Sequence, residues 1–339
     1  MSSVTISLSQ AYDLIFTALT VNGASAENAA FVAKALLQAE SSGQPGHGLS
    51  RVPSYVAQVR SGKVDGLVTP TLEKVTSSLV RVDASFGFAY PAIDLALRTL
   101  PDMADKQGIA MAAIRRSHHF GQGGAHCEAL AEKGYVSFVF GNAHKAIAPW
   151  GGSKPMFGTN PIAFAAPVPG KPPLVIDLAM SRVARGKVMA AEKAGTSIPE
   201  GWALDKDGKS TTNPTDAIAG TMLPIGEAKG AALAMMIEVM SAAIVGAAFG
   251  FESSSLFTGE GDAPNLGQVI LVLNPNMTSA GAFGERMVTL VEAVEVEEGA
   301  RLPGSRRLAS REKAEREGVS IPTPILREVC QLAGKEMPI

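Results

Sequence analysis

The strongest constraint on the fold is a change of rhythm near Val68. From there to Asn274, strand-length runs of β-branched and aromatic residues alternate with longer stretches of helical period, whereas the residues before them carry helical period alone. "TLEKV" and "SLVRVDA" read as paired strands, "YPAIDLALRTLPDMADKQ" as a helix and "GIAMAAIRR" as a strand. A helix over Gly123 to about Lys133 and a buried strand, "YVSFVFG", follow. Two short strands are expected in the Gly/Pro-rich passage from Ala148 to Met180, another at "QVILVLN", and a helix from Ala280 to Glu297. Ahead of these lie three expected helices, from Leu8 to Val21, from Ser25 to about Glu40 and from about Pro53 to Arg60. Ser25 serves as an N-cap and Asn22-Gly23 as a stop. "GARLPGSRRLASREKAEREG" reads as a polar C-terminal region. The pattern predicts a mixed α/β (α+β) protein with one boundary near residue 70.

The most apolar window, Ala231 to Phe249, is long enough to raise a membrane span. Glu238 near its centre and its alanine-rich character point instead to a buried core helix. The chain of 339 residues has 46% hydrophobic and 18% charged residues and a net charge of -2, which offers no electrostatic footing for nucleic acid or an anionic membrane. The N-terminus lacks the basic-then-apolar pattern of a signal peptide. Cys127 and Cys330 stand far apart without CxxC spacing, so a reducing cytoplasm is expected and a zinc site is not.

Three of the five histidines fall in "SHHFGQGGAH" (Ser117 to His126). His118 and His119 are adjacent, so on extended chain they point to opposite sides, and no acidic residue follows until Glu128; this is poor metal-ligand spacing. Strand, glycine turn, then helix resembles a Rossmann phosphate loop, but His126 occupies the third glycine position. Glycine amides and a helix N-terminus still suit an anion, and a plain tight turn is the equal alternative. His47, between Gly46 and Gly48, can exchange a proton, and Arg51 four residues on can grip a carboxylate with two parallel hydrogen bonds. By themselves these two also fit a solvated loop. Arg306 and Arg307 of "LPGSRR" can meet a phosphate or form an exposed charge cluster.

Taken in order, "GHGLSRVPSY", "SHHFGQGG", "APWGG", "FGTNPIAFAAP", "VIDLAMSRVARGK", "IPEGWALDKDGKSTTNP", "AKGAALAMMIEV" and "ARLPGSRR" resemble the malate/L-lactate dehydrogenase-like family of NAD(P)-dependent oxidoreductases. This non-Rossmann group includes sulfolactate and ureidoglycolate dehydrogenases and cyclic ketimine reductases. The resemblance runs almost end to end. It implies a mixed-sheet nicotinamide-binding domain (71–299) beside a helical region built from both chain ends (1–70 with about 300–339), and a homodimer with the active site near the subunit junction. By the same resemblance His47 is the proton donor, Arg51 the carboxylate binder and Thr159 a substrate contact. His119 is a second acid/base candidate. The cofactor is expected along His119, Phe120, Gly121, Gln122 and Gly123, at Asp177, Leu178 and Ala179, at Arg185 and Gly186, at Lys229, and along Gly304, Ser305, Arg306, Arg307, Leu308, Ala309 and Ser310.

Two positions depart from the family pattern. Gly46 replaces the serine that usually precedes the histidine, leaving open how His47 is held. Lys187 stands where ketimine reductases resembling this chain carry an aspartate. Both tilt the expectation to hydride transfer between nicotinamide and a small 2-hydroxy/2-oxo acid of malate, lactate or sulfolactate type. A charged histidine would then stabilise the developing alkoxide. The alternatives are reduction of pyrroline- or piperideine-2-carboxylate, and a non-catalytic cofactor-binding protein on the same scaffold. NADP is expected over NAD, because Arg306 and Arg307 can pair with a 2'-phosphate.

Overall fold

The structure, a computed structural model, describes residues 2–338; positions 1 and 339 of the expected helical region lie outside it. In chain order the elements are β1 (Ser3–Ile6), α1 (Leu8–Thr20), α2 (Ala26–Ser41), two single 3-10 turns (Pro45–His47 and Leu49–Arg51), α3 (Val52–Arg60), β2 (Thr71–Lys74), β3 (Leu79–Asp83), α4 (Ala89–Gln107), β4 (Ile109–Ser117), α5 (Gly123–Ala131) and β5 (Val136–Gly141). Next come β6 (Ile162–Val168), β7 (Lys171–Leu178), α6 (Arg185–Ala194), β8 (Ala203–Leu204), β9 (Ser210–Thr211), α7 (Pro214–Ala219), β10 (Thr221–Met222) and α8 (Ala228–Glu238). A π turn (Val239–Ala243), β11 (Leu266–Leu273), α9 (Pro275–Thr278), α10 (Phe283–Glu295), α11 (Ser305–Glu317), β12 (Val319–Pro322) and α12 (Thr323–Ala333) complete the chain.

Seven strands form one sheet in the order β2-β3-β4-β11-β5-β6-β7. β3 and β4 run parallel and the other neighbouring pairs antiparallel. A Rossmann sheet is mostly parallel, so the expected mixed, non-Rossmann sheet is what this chain builds. Its centre is buried on both faces, which is why "GIAMAAIRR" and "QVILVLN" are almost continuously apolar. Ala110, Ala112, Ile114, Ile270 and Val272 pack in the layer of α4 and α5, while Met111, Ala113, Val269 and Leu271 pack on the opposite side with Ile147 and Ile237.

A second core joins the chain ends. Ile15, Leu19, Val32, Leu36 and Tyr55 share it with Val319, Ile321, Leu326 and Val329. Each large side chain removed from water there contributes roughly 1.5–3 kcal/mol. β1 pairs antiparallel with β12, and Asn22 Nδ2 donates to the Leu332 carbonyl at 2.9 Å. Ser7 and Gln10 form a reciprocal capping box at the start of α1, and the Ser25 hydroxyl caps α2 as expected.

The short elements β8, β9, α7, β10 and α9 were not anticipated, nor were four at the chain ends. β1 and β12 are four residues each and exist through a partner at the other chain end. α11, which fills the polar C-terminal region, buries Arg307 and Ala314 and so carries almost no apolar period; α12 follows it. The apolar window is also corrected. It is not one buried helix: α8 stops at Glu238 and a π turn follows, with Leu233, Met235, Met236, Val239 and Ile244 exposed. The turn lies against β11 at Gly267, where a Cβ would stand 1.8 Å from the Ser241 carbonyl oxygen, so only glycine lets the backbones approach. Among the described residues no helix is long and apolar enough to cross a membrane.

Candidate active site

β4 delivers the paired histidines to the boundary between the two cores. Its last turn outward is made at Arg116, whose φ is 48° and whose guanidinium grips Asp83 at 2.6 and 2.8 Å. His118 and His119 then diverge, as adjacent extended residues must. His118 Nε2 meets Gln58 Oε1 at 2.8 Å in a pocket with Tyr55 and Phe88, a structural placement. His126 Nε2 donates to the Phe120 carbonyl at 2.8 Å. His119 faces the 3-10 turns, with its Nε2 3.2 Å from His47 Nδ1 and its Nδ1 2.6 Å from the Tyr55 hydroxyl. That hydroxyl lies 3.0 Å from the Tyr90 hydroxyl. The ring of His47, which has no serine hydroxyl beside it, is thus held by His119.

Arg51 approaches the same cluster from the start of α3. Its Nε donates to the Gly46 carbonyl at 2.7 Å and its guanidinium lies 4.7 Å from the centre of the Phe257 ring. Nη1 is buried and has no hydrogen-bond partner among the described residues. The Phe257 loop is tied down by Lys63, whose ammonium reaches the carbonyls of Ser255, Thr258 and Glu260 at 2.6, 3.2 and 2.6 Å. Tyr55, Tyr90 and Phe257 were missed by sequence reasoning. For Tyr55 a signal existed, since His47, Arg51 and Tyr55 are spaced by four and share one side of the helical turns.

Electrostatics make this a site of neutral rings around one cation. Burial, aided by the Arg51 charge, pushes His47 down to about 3. Burial acts likewise on His118, down to about 3, and holds His119 well below the usual histidine range. Burial raises Tyr55 to about 12. Burial and the Arg51 charge thus favour the neutral forms of His47 and His119 over the expected charged histidine.

Thr159 is half-buried, its carbonyl accepting from Met180 N at 2.7 Å. The neighbouring Asn160 adopts φ 37° and is pinned by Nδ2 donating to Ala234 O at 2.8 Å and to Glu238 Oε2 at 2.5 Å. Glu238 Oε1 accepts from Asn142 Nδ2 at 3.3 Å and from Gly250 N. One buried carboxylate thereby fastens three loops. Each donor stranded by its loss costs about 1–3 kcal/mol. Glu238→Leu is expected to lower stability by roughly 3–5 kcal/mol, seen as a fall in Tm; an unchanged Tm would refute the anchoring role.

The segments assigned to the cofactor divide into two groups. Gly121 has φ +70° and a Cβ there would stand 2.7 Å from the Tyr90 hydroxyl oxygen, so the close turn requires glycine. Gln122 is 4% exposed, yet neither polar atom of its amide has a partner among the described residues. Gly123 and Gly124 lie against Asp177, and Gly304 against the Val175 carbonyl, so 123–124 and 304 both border β7. Arg185 instead donates to Lys145 O at 2.8 Å, with Gly186 next to it, and Lys229 is exposed on the first turn of α8.

Two expectations change here. The α5 N-terminus is not an open phosphate site, because the Asp177 carboxylate already accepts from Gly124 N at 2.8 Å and would repel a second anion. Arg307 is turned inward: it is 8% exposed and donates to Glu128 at 2.9 Å, while Arg311 pairs with the same carboxylate at 2.8 Å. Arg306, one position earlier, is exposed.

Residues 6–330 match the model of the malate/L-lactate dehydrogenase family. Over 324 residues the chain is 48% identical to a (2R)-3-sulfolactate dehydrogenase (NADP(+)) of Chromohalobacter salexigens, covering 96% of each chain. Its fold is similar to the crystal structure of a delta1-piperideine-2-carboxylate reductase from Pseudomonas syringae, with TM-score 0.91 and 38% identity over 97% of this chain and 99% of the other. It is also similar to a sulfolactate dehydrogenase from Methanocaldococcus jannaschii, with TM-score 0.88 and 27% identity over 98% of each chain.

Proposed function

The chain belongs to the malate/L-lactate dehydrogenase family, and from that membership we propose that it is an NADP-dependent oxidoreductase acting on a small 2-hydroxy/2-oxo acid, with the sulfolactate and sulfopyruvate pair first in rank. The observation that carries the reading is the guanidinium of Arg51, whose buried Nη1 has no partner among the described residues, beside the hydrogen-bonded pair of His47 and His119. A 2-oxo acid needs one cation for its carboxylate and one proton-bearing group at its carbonyl oxygen, and these residues supply both. The relative named as a sulfolactate dehydrogenase supports the choice of acid.

A nicotinamide fits the residues present. The unpartnered Gln122 amide offers one acceptor and two donors, the complement of a carboxamide, at the expected position. Bound NADPH supplies the hydride. Arg51 fixes the acid by its carboxylate and Thr159 contacts it, so the chain's main contribution to rate is alignment. His47 donates its N–H to the carbonyl oxygen and stabilises the charge that develops there as a neutral imidazole. The proton that completes the alcohol is replaced on the imidazole from solvent, and in the reverse direction the hydroxyl proton leaves through His47 by the same route.

Absorbance of NADPH, then of NADH, followed against sulfopyruvate, oxaloacetate, pyruvate and the two cyclic ketimines, tests the reading. Fastest oxidation with sulfopyruvate and NADPH is expected. Turnover with the cyclic imines alone would replace it by the ketimine-reductase reading, which Gly46 and Lys187 weigh against, and cofactor binding without any turnover by the non-catalytic one. With Arg307 engaged by Glu128, Arg306 is assigned the 2'-phosphate. Arg306→Ala is expected to lower the preference for NADPH over NADH about tenfold, the loss of one charge-assisted hydrogen bond; an unchanged ratio would remove Arg306 from the site.

The same proposal includes a homodimer that covers the exposed apolar face of α8 and its π turn, to be read by sedimentation. It also includes a division into a sheet domain (71–299) and a helical region (1–70 with 300–339), supported by the core that the chain ends share. Two free, buried thiols, Cys127 and Cys330, support a cytoplasmic setting.

A further inference from the structure

We propose that Tyr55 and Tyr90 are positioning residues that set the tautomers of His119 and His47, and so decide which nitrogen of His47 carries the proton. This rests on His47 being the group that exchanges the hydroxyl proton.

Four side chains form one unbranched row: Tyr90, Tyr55, His119, His47, with contacts of 3.0, 2.6 and 3.2 Å. Each member can donate or accept, so the row has two self-consistent polarities. In the first, Tyr90 donates to Tyr55, Tyr55 to His119 Nδ1, and His119 Nε2–H to His47 Nδ1. The proton of His47 is then on Nε2, the nitrogen turned away from the row. In the second every donation reverses: His47 Nδ1–H donates to His119 Nε2, His119 Nδ1–H to Tyr55, and Tyr55 to Tyr90.

The end of the row decides between them. Tyr90 is 4% exposed, Tyr55 is fully buried, and the Tyr90 hydroxyl has no partner besides Tyr55 among the described residues. Under the second polarity the Tyr90 hydroxyl proton is buried without an acceptor, whereas under the first the one hydrogen without a partner in the row is the Nε2–H of His47, a half-buried residue where substrate or solvent can accept it. A stranded buried donor is the costly arrangement. Tyr90 therefore acts as a donor that cannot be reversed, and its direction propagates through Tyr55 and His119 to His47. The hydroxyl that Gly46 lacks is replaced in this chain by a longer path that enters the imidazole from its Nδ1 side. The neutral state of both histidines, which a tautomer argument requires, follows from their burial beside Arg51.

The test is nitrogen-15 NMR of the full-length chain carrying ring-labelled histidine, with the signals of His47 and His119 assigned through His47→Asn and His119→Asn. The expected wild-type spectrum shows both rings protonated on Nε2 and bare on Nδ1. In Tyr55→Phe, which keeps the ring and its packing, His119 Nδ1 loses its donor and both rings are expected to show mixed tautomers, with a modest fall in Tm because the Tyr90 hydroxyl loses its partner. kcat is expected to fall on the order of tenfold, part of the 10²- to 10⁴-fold that a positioned acid contributes. Tyr90→Phe is expected to give the same spectral change in weaker form. Nδ1-protonated rings in the wild type, or an unaltered spectrum in Tyr55→Phe, would overturn the proposal. The spectra need no substrate, so they stand even if the panel of acids gives no turnover; conversely, turnover with unaltered spectra would remove the tyrosines and leave the dehydrogenase reading in place.

Discussion

Replacing His47 with Asn is expected to lower kcat for 2-oxo acid reduction on the order of 10²- to 10⁴-fold, with Tm and NADPH binding unchanged. Asparagine preserves a donor of similar reach but cannot exchange a proton, so positioning survives while the chemical step suffers. His119→Asn should lower kcat less if His119 acts through His47; a larger loss would reverse their roles. The pH profile supplies an independent check. An ordinary histidine would put an inflection near 6.5. Burial and Arg51 bring His47 and His118 down to about 3 and take His119 well below the usual range, so their protons bind only as pH falls far into the acid range. kcat/KM is therefore expected to show no histidine inflection between about pH 5 and 9. A break near 6.5 would mean that the site histidines are charged after all, and that the neutral-imidazole account is wrong.

What could be read from the sequence, and what could not, divides along a physical line. The strands of the large sheet were visible because β4 and β11 are buried on both faces and leave long apolar runs. The divergence of His118 and His119 followed from alternation alone. Features that depend on partners distant in the chain were invisible. β1 exists because β12 returns to it, and the Tyr90 hydroxyl gains a role through a residue on α3. Glu238 shows the difference most directly. In the sequence it is a charge in an apolar window, sufficient to argue against a membrane; in the fold its partners come from Asn142, Asn160 and Gly250 on three separate loops. Arg306 and Arg307 are adjacent in sequence and chemically identical. On a helix adjacent residues face different ways, and only the packing of α11 against Glu128 tells which one turns inward.

Arg51→Met is expected to raise KM for the 2-oxo acid about 100-fold or more with a smaller change in kcat, since a truncated buried charge contact typically costs 2–5 kcal/mol. The effect belongs mainly to KM because the carboxylate is held equally before and during hydride transfer. Arg51→Lys should recover part of the loss, because an ammonium restores the charge but not two parallel N–H groups. Methionine keeps much of the stem that packs near Phe257, so a fall in Tm would not account for the kinetic change. The substitution also carries a signature of its own. The Arg51 charge is the second cause, after burial, of the depressed His47 value. Its removal must shift His47 upward, so a pH dependence absent from the wild type is expected to enter the reduction profile from the acid side. A raised KM with an unaltered profile would separate Arg51 from His47 and place the carboxylate site elsewhere; both changes together would locate the acid between the guanidinium and the imidazole.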